Sequence, residues 1–239
     1  MARKPRFNLV GVSQHVIQRG NNREPCFYAE EDYSFYLDCV EEFSRKFNCL
    51  IHAYVLMMNH VHMLVTPQQK YAVSQMMQSV GAKYVRYINR TYKKTGTLWE
   101  GRYKASLVDT NNYLLVCMRY IELNPVRAGM TDVPDEYKWS SYRANAFGGE
   151  SGLLAQHPVY IELSKDKEER LQHYRELFSD AIDYDQLHDI REILNQELVL
   201  GNSRFKEKIE SMLNRRVVAG TPGRPKLKVK ELQGFYYVY

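Results

Sequence analysis

Hydrophobic residues along this chain switch repeatedly between two spacings. Residues 12–19 alternate like a half-buried strand and stop at Gly20-Asn21-Asn22, a turn signal. Residues 50–57 form an apolar run, and Met57-Met58-Asn59-His60-Val61-His62-Met63-Leu64-Val65 extends it towards Pro67. β-forming residues on both sides, with no helix cap between them, predict two strands joined by a very short hairpin. Helical spacing appears in the intervals. Glu30-Glu31-Asp32 opens a helix with acids at the positive end of its dipole, and its apolar stripe runs through Phe35, Cys39, Phe43 and Phe47. Residues 72–92 predict a second helix, with Val73, Met76, Met77, Val80, Tyr84, Tyr87 and Ile88 on one stripe. Residues 98–110 return to strand composition. Asn111-Asn112 then caps a third helix that Pro125 must end.

The order strand, helix, two strands, helix, strand, helix implies an α+β fold. It matches a ferredoxin-like antiparallel sheet built on a split βαβ unit, with one helix added. Gly148-Gly149-Glu150-Ser151-Gly152 marks a boundary, dividing the chain into a core domain (1–147), a helical extension (148–217) and a basic Pro/Gly-containing tail (218–239). Within the extension, helices are expected at 166–179, 184–199 and 203–215. Gly201 would end the second of these as a C-cap, and Asn202 would start the third.

Composition narrows the partners. No apolar run approaches the roughly 20 residues of a membrane span, and the basic start is not followed by a hydrophobic signal region, so a cytoplasmic protein is expected. Cys26, Cys39, Cys49 and Cys117 have no CxxC spacing, which argues against a zinc knuckle or a disulfide framework. The formal charge of +5 conceals segregation: residues 201–230 carry nine Lys/Arg against two Glu, whereas residues 153–199 carry five against eleven Asp/Glu. Basic ends around an acidic middle suit a polyanionic partner.

Two short patterns carry candidate chemistry. In a strand, His60 and His62 project to the same side with Cα atoms about 7 Å apart, so two neutral imidazoles can chelate one divalent ion. Alone, the pair could equally be two histidines on a half-exposed face, facing outward and binding nothing. On the third helix, Tyr120 and Asn124 lie one turn apart on one face. An amide oxygen can complete a His-His-Asn site, and a phenol can attack a phosphorus whose oxygen the ion polarises. Glu122 is the reserve third ligand. Either residue, read alone, is an ordinary packing residue in a chain with 19 tyrosines.

Taken together the patterns are more specific. His60-Val61-His62 followed by Tyr120-Ile121-Glu122-Leu123-Asn124-Pro125-Val126-Arg127-Ala128 resembles the REP-associated tyrosine transposases, a branch of the HUH single-strand nucleases. Supporting segments are His15-Val16, Gln18-Arg19-Gly20-Asn21-Asn22-Arg23, Leu98-Trp99-Glu100-Gly101-Arg102-Tyr103-Lys104 and Trp139-Ser140-Ser141-Tyr142. Met58 departs from the pattern, where proline is expected before Asn-His. The resemblance implies that His60, His62 and Asn124 bind Mg²⁺ or Mn²⁺ and that Tyr120 is the nucleophile. It implies cleavage of single-stranded DNA beside a palindromic hairpin, leaving a 5′-phosphotyrosine and a free 3′-OH. An ion would offset the weakness of a phenol that is only ~0.1% ionised at neutral pH.

DNA contacts are expected from Arg19, Asn21, Asn22 and Arg23 near the first turn, from Arg86, Arg90, Arg102 and Lys104, and from Arg127. Gly223-Arg224-Pro225-Lys226 resembles the core of an AT-hook, which would lay Arg224 in an A·T-rich minor groove. The same residues would also suit a catalytically silent module that grips hairpins without cutting them. A cupin-type oxygenase using His-x-His needs more strands than this helix-rich pattern offers. Monomer and homodimer are both open.

Overall fold

The computed structural model describes residues 5–179, 190–193, 196–214 and 216–217. Strand β1 (Gln14–Arg19) is followed by helix α1 (Glu30–Lys46), the hairpin β2 (Cys49–Met57) and β3 (His60–Pro67), helix α2 (Ala72–Thr91), and strand β4 (Lys104–Val108). Helix α3 (Thr110–Glu122) then runs into the short α4 (Asn124–Arg127). The remainder adds α5 (Tyr142–Phe147), α6 (Pro158–Ile161), α7 (Lys167–Glu176), the two-residue strand β5 (Val199–Leu200) and α8 (Ser203–Leu213).

The sheet order is β2-β3-β1-β4-β5. β3 lies antiparallel between β1 and β2, β4 is antiparallel to β1, and β5 is parallel to β4. The first four strands therefore form the split βαβ arrangement of a ferredoxin-like α+β fold, with β5 as an added edge. Alternation along the strands sends Val16, Val61, Met63 and Val65 towards α1 and α2, while Ala53, Val55 and Leu64 meet α3.

Helix α1 starts as its acids require. Asp32 Oδ2 accepts from the Tyr28 and Ala29 backbone N–H groups at 2.7 and 3.0 Å, satisfying donors that a helix start leaves open. Its buried stripe is turned from the expected one, however. Tyr36, Cys39, Val40 and Ser44 are buried, whereas Phe35 is half-buried and stacks on Tyr87 with ring centroids 4.1 Å apart. The α2 stripe holds as read, save that Tyr87 is half-buried and donates to Asp32.

Three other expectations are corrected. Strand composition over 98–110 produces a strand only at Lys104–Val108, because Gly96 and Gly101 adopt positive φ (90° and 148°) and the intervening residues loop over the end of β1. The start of α3 is Asp109, whose Oδ2 accepts from Asn112, so Asn111-Asn112 lies inside the helix. Val199 belongs to β5 rather than to a helix, and Gly201 serves close approach rather than capping: a Cβ there would meet Phe205 Cδ1 at 2.5 Å and Asp109 Cβ at 2.9 Å. Asn202 does cap α8, accepting from Phe205 N at 2.8 Å.

The segment beyond Gly148 packs onto the sheet. Ala155 N donates to Ile51 O at 2.8 Å beside an irregularity in β2 at His52, and Tyr174 of α7 packs into the core around α3. All four cysteines are buried and free. No helix among the described residues is long and apolar enough to cross a membrane.

Candidate functional site

The site forms on the α3 face of the sheet, at the hairpin end of β3. Register places Arg19 opposite His60 and Ile17 opposite His62, so these four side chains share that face. His62 is not outward-facing: α3 covers it and leaves it 4% exposed, while His60 stays half-buried at the strand end. The two rings stand edge to face with centroids 5.0 Å apart.

Neighbouring hydrogen bonds fix which ring nitrogens are available. His60 Nδ1 lies 2.6 Å from Asn59 Oδ1, so Nδ1 carries the proton and Nε2 keeps a free lone pair. His62 Nδ1 lies 2.8 Å from Nε2 of His15, a β1 residue whose His15-Val16 segment supports the family resemblance but was not among the expected site residues. Burial, aided by the Arg19 charge, pulls the His60 imidazole down to about 4. Burial first, then the neighbouring His15, His60, Arg127 and Arg19, holds His62 well below its usual value. Both rings are therefore neutral at physiological pH, as metal ligation requires.

Helix α3 brings the phenol to these rings. Tyr120 is 6% exposed, and its ring meets His15 and His62 edge-on at 5.7 and 6.0 Å. Pro125 ends α3 at Leu123, as expected, and the chain immediately winds another turn. That turn carries Asn124, whose Nδ2 donates to the carbonyls of Tyr120 and Ile121 at 3.0 and 3.1 Å. With its N–H groups so committed, Oδ1 is the end left to ligate. Arg127 reaches back over the same turn, with its guanidinium 4.1 Å from the Tyr120 ring centroid and Nη2 donating to Tyr120 O at 2.8 Å.

Glu122 is removed from candidacy as a ligand. Half a turn from Tyr120 and Asn124 it points into the protein, accepting from Ser141 Oγ at 2.5 Å, Asn145 Nδ2 at 2.8 Å and Tyr174 OH at 2.7 Å. Among the described residues no group of three His, Cys, Asp or Glu side chains could hold an ion. His60 and His62 offer two imidazole nitrogens, and the Asn124 amide oxygen would add a third donor, a mixed N/O set of the kind that suits a divalent ion completed by water.

The candidate DNA contacts divide by face. Arg19, Asn22 and Arg23 are exposed around the turn that follows β1. Asn21–Arg23 is a 3₁₀ turn in which Asn22 and Arg23 take positive φ, and Asn59 Nδ2 ties it to the hairpin through Arg23 O at 2.9 Å. Gly20 is required there, since a Cβ would collide with the Glu24 carbonyl. Lys104 is exposed opposite Ile17, on the face of the histidines. Arg86 and Arg90 are exposed on α2, across the sheet, and exposed Arg102 lies in the loop before β4. Arg224 lies outside the described residues. Tyr84 and Tyr87 are packing residues, donating to Cys26 O and Asp32 Oδ1 at 2.6 and 3.0 Å.

Residues 8–124 match the family model for IS200-like transposases. Among solved structures, a REP-associated tyrosine transposase bound to a REP hairpin aligns with a TM-score of 0.50 and 18% identity, over 66% of this chain and 93% of that one. A candidate transposase from Deinococcus radiodurans R1 aligns over 51% of this chain and 96% of that one, at 18% identity and a TM-score of 0.35. No curated protein matches. Residues 8–124, which include β1, the His60 and His62 strand and the helix of Tyr120, thus form a domain that matches the IS200-like transposases.

Proposed function

We propose that this protein is a metal-dependent single-strand DNA endonuclease and strand transferase that acts beside palindromic hairpins through a 5′-phosphotyrosine. The observation that carries this reading is the seat of Tyr120: edge-on to His62 and His15, beneath Arg127, and one helical turn from Asn124. Mg²⁺ or Mn²⁺ held by His60, His62 and Asn124 would polarise the scissile phosphate.

The chain's own residues do the rest. Tyr120 Oη forms the new bond to phosphorus as the P–O3′ bond breaks; the phenol proton passes to water and the departing O3′ takes one up. The Arg127 guanidinium, 4.1 Å from the Tyr120 ring centroid, would help offset the negative charge that gathers during the attack. One phosphodiester replaces another, so the 3′-OH of a different strand can reverse the step without ATP. Arg19 and Arg23, exposed beside His60, hold the flanking phosphates. The solved neighbour's REP hairpin makes such hairpins the first substrates to try.

The test is a labelled hairpin with a single-stranded flank, incubated with Mg²⁺, Mn²⁺ or EDTA. Wild-type protein should cut it and form a covalent adduct only with the ion, and Tyr120→Phe should bind the hairpin but form none. An adduct with the Phe variant, or cutting that ignores EDTA, overturns the proposal.

A further inference from the structure

The segment beyond Gly148 sends one charged residue to the face that carries Tyr120. Ser106 of β4 stands opposite His15 in the register, so its side chain lies on the α3 side of the sheet with His15 and Tyr120. Ser106 is fully buried, and its hydroxyl donates to the carbonyl of Ile193 at 3.2 Å. The same carbonyl accepts from Leu198 N at 3.0 Å, just before β5 joins the edge of β4. Ile190, about one helical turn earlier, is 1% exposed and packs into the cluster that contains Tyr120 and Ile121. Helical residues 190–193 are thus fixed at both ends, against β4 and against the apolar cluster of the tyrosine helix.

Arg191 follows the buried Ile190 and is itself exposed. Its charge reaches Arg127, whose guanidinium covers the Tyr120 ring. Burial, opposed by Tyr120 and reinforced by Arg191, lowers the Arg127 guanidinium below its usual value. Lys104, two residues from Ser106 along β4, is exposed on the same face. Like charges gathered in a rigid frame repel one another, and an anion seated among them relieves the repulsion. The protein's own carboxylates do not provide it. Among the described residues, ion pairs join Arg45 to Glu41, Lys83 to Glu42 and Lys138 to Glu30, and none includes Arg127, Arg191 or Lys104. Glu192 is next to Arg191 in sequence, but successive helical residues point to different sides.

We infer that Arg191 is a substrate-binding residue: with Arg127 it clamps a backbone phosphate of the single strand, next to the phosphate that Tyr120 attacks. Two guanidinium groups suit such a phosphate, because each planar fork can donate paired hydrogen bonds to its oxygens. The inference rests on the DNA-cutting role proposed above. It adds a residue from well outside the matched domain of residues 8–124, and so makes the extension part of the site.

Neutralising one charge on each side tests the clamp. Arg191→Gln should melt with wild type, since the side chain is exposed and glutamine is a good helix former. By fluorescence anisotropy it should bind a hairpin with a single-stranded flank about tenfold more weakly. Its slope of log affinity against log salt should be shallower by about 0.7, the share of one single-strand phosphate. Arg191→Lys should restore the slope but only part of the affinity, because a point charge replaces a fork. Uncharged methylphosphonate linkages, moved one at a time along the flank, should reveal one position that weakens wild-type binding and leaves Arg191→Gln unaffected. Unchanged affinity and slope in Arg191→Gln overturn the inference. So does a shallower slope with identical methylphosphonate profiles, which would mean diffuse attraction without a contact. If either happens while Tyr120 still forms its adduct, the clamp fails and the proposed activity stands. If the position-specific loss depends on Arg191 but no adduct forms with Mg²⁺ or Mn²⁺, the clamp stands and the activity fails.

Discussion

His15 Nε2 and His62 Nδ1 lie 2.8 Å apart, and one hydrogen serves both. The choice of owner decides whether His62 can ligate. If His62 is to offer Nε2 to an ion, its Nδ1 must carry the hydrogen and donate to His15, whose own proton then sits on Nδ1. That atom is buried and, among the described residues, has no partner. His15 is thus a positioning residue whose cost in an unpaired nitrogen is offset by the orientation it gives His62. His15→Ala should weaken Mn²⁺ binding ~10–100-fold by electron paramagnetic resonance titration. His15→Gln, whose amide oxygen can accept from His62 Nδ1, should recover most of the loss. Unchanged Mn²⁺ affinity in the Ala variant would remove His15 from the site.

The two candidate ligands should differ in what they do to the fold. His62 is covered by α3 and bonded to His15, whereas His60 is half-buried at a strand end. His62→Ala opens a cavity and leaves His15 Nε2 alone, so a loss of about 2 kcal/mol is expected. His60→Ala should cost well under 1 kcal/mol. Both should lose Mn²⁺ binding. Urea titrations of the two variants separate these outcomes, and equal stability losses would contradict the burial difference.

Glu122 supplies a different kind of support. Buried and triply hydrogen-bonded, it joins α3 to α5, α7 and Ser141. Burial outweighs those three bonds and raises its carboxyl to about 7. The sign follows: the folded protein holds this proton more tightly than the unfolded chain, so the contribution is full below pH 4.5 and fades as pH rises through 7. Glu122→Gln keeps one oxygen for Ser141 and Asn145, and Tyr174 can turn its hydroxyl to accept from the new amide. It should melt no lower than wild type at pH 8, with less decline between pH 5 and pH 8. Glu122→Ala should cost on the order of 3 kcal/mol, because it strands three polar partners. A Gln variant less stable than wild type at pH 8 would show that the carboxylate is favoured there.

Much of this site was legible in the sequence because its spacings are local. Two residues apart on a strand put His60 beside His62, and four apart on a helix put Asn124 above Tyr120, whatever the rest of the chain does. His15 was not legible as their partner, since its contact spans 47 positions and depends on the β1–β3 register. Glu122 looked like a reserve ligand by type, yet helical phase turns it away from Tyr120. Residues 98–103 read as strand because Leu98, Trp99 and Tyr103 are β-formers. Gly96 before them and Gly101 among them instead bend the chain into the wall of a cavity. No local pattern announces a cavity, because its walls come from β1, α2 and that loop together.

The acid response should carry the mark of one histidine far from the site. His52 sits at the β2 irregularity, where Nδ1 donates to Ala155 O at 2.7 Å. Its Nε2 must then accept from Thr66 Oγ1 at 2.8 Å, and Thr66 in turn accepts from Ser13 Oγ at 2.7 Å. A proton on Nε2 would set two donors face to face and force Thr66 and Ser13 to reverse. Burial, reinforced by nearby His157 and opposed by the Ala155 bond, lowers His52 from 6.5 to about 4. The unfolded chain therefore takes up this proton first as pH falls. The contribution is intact above pH 6.5 and lost progressively down to about pH 4, at most about 3 kcal/mol in all. His52→Gln can keep a donor to Ala155 but cannot titrate. It should be less stable than wild type at pH 7.5, and its unfolding free energy should fall less steeply towards pH 4, by about one proton in the linkage slope. His15, His60 and His62, also lowered by burial, should leave a residual slope in the variant. Urea unfolding at half-unit steps from pH 7.5 to 4.5 gives both slopes, and identical slopes would mean that His52 is already protonated in the folded protein.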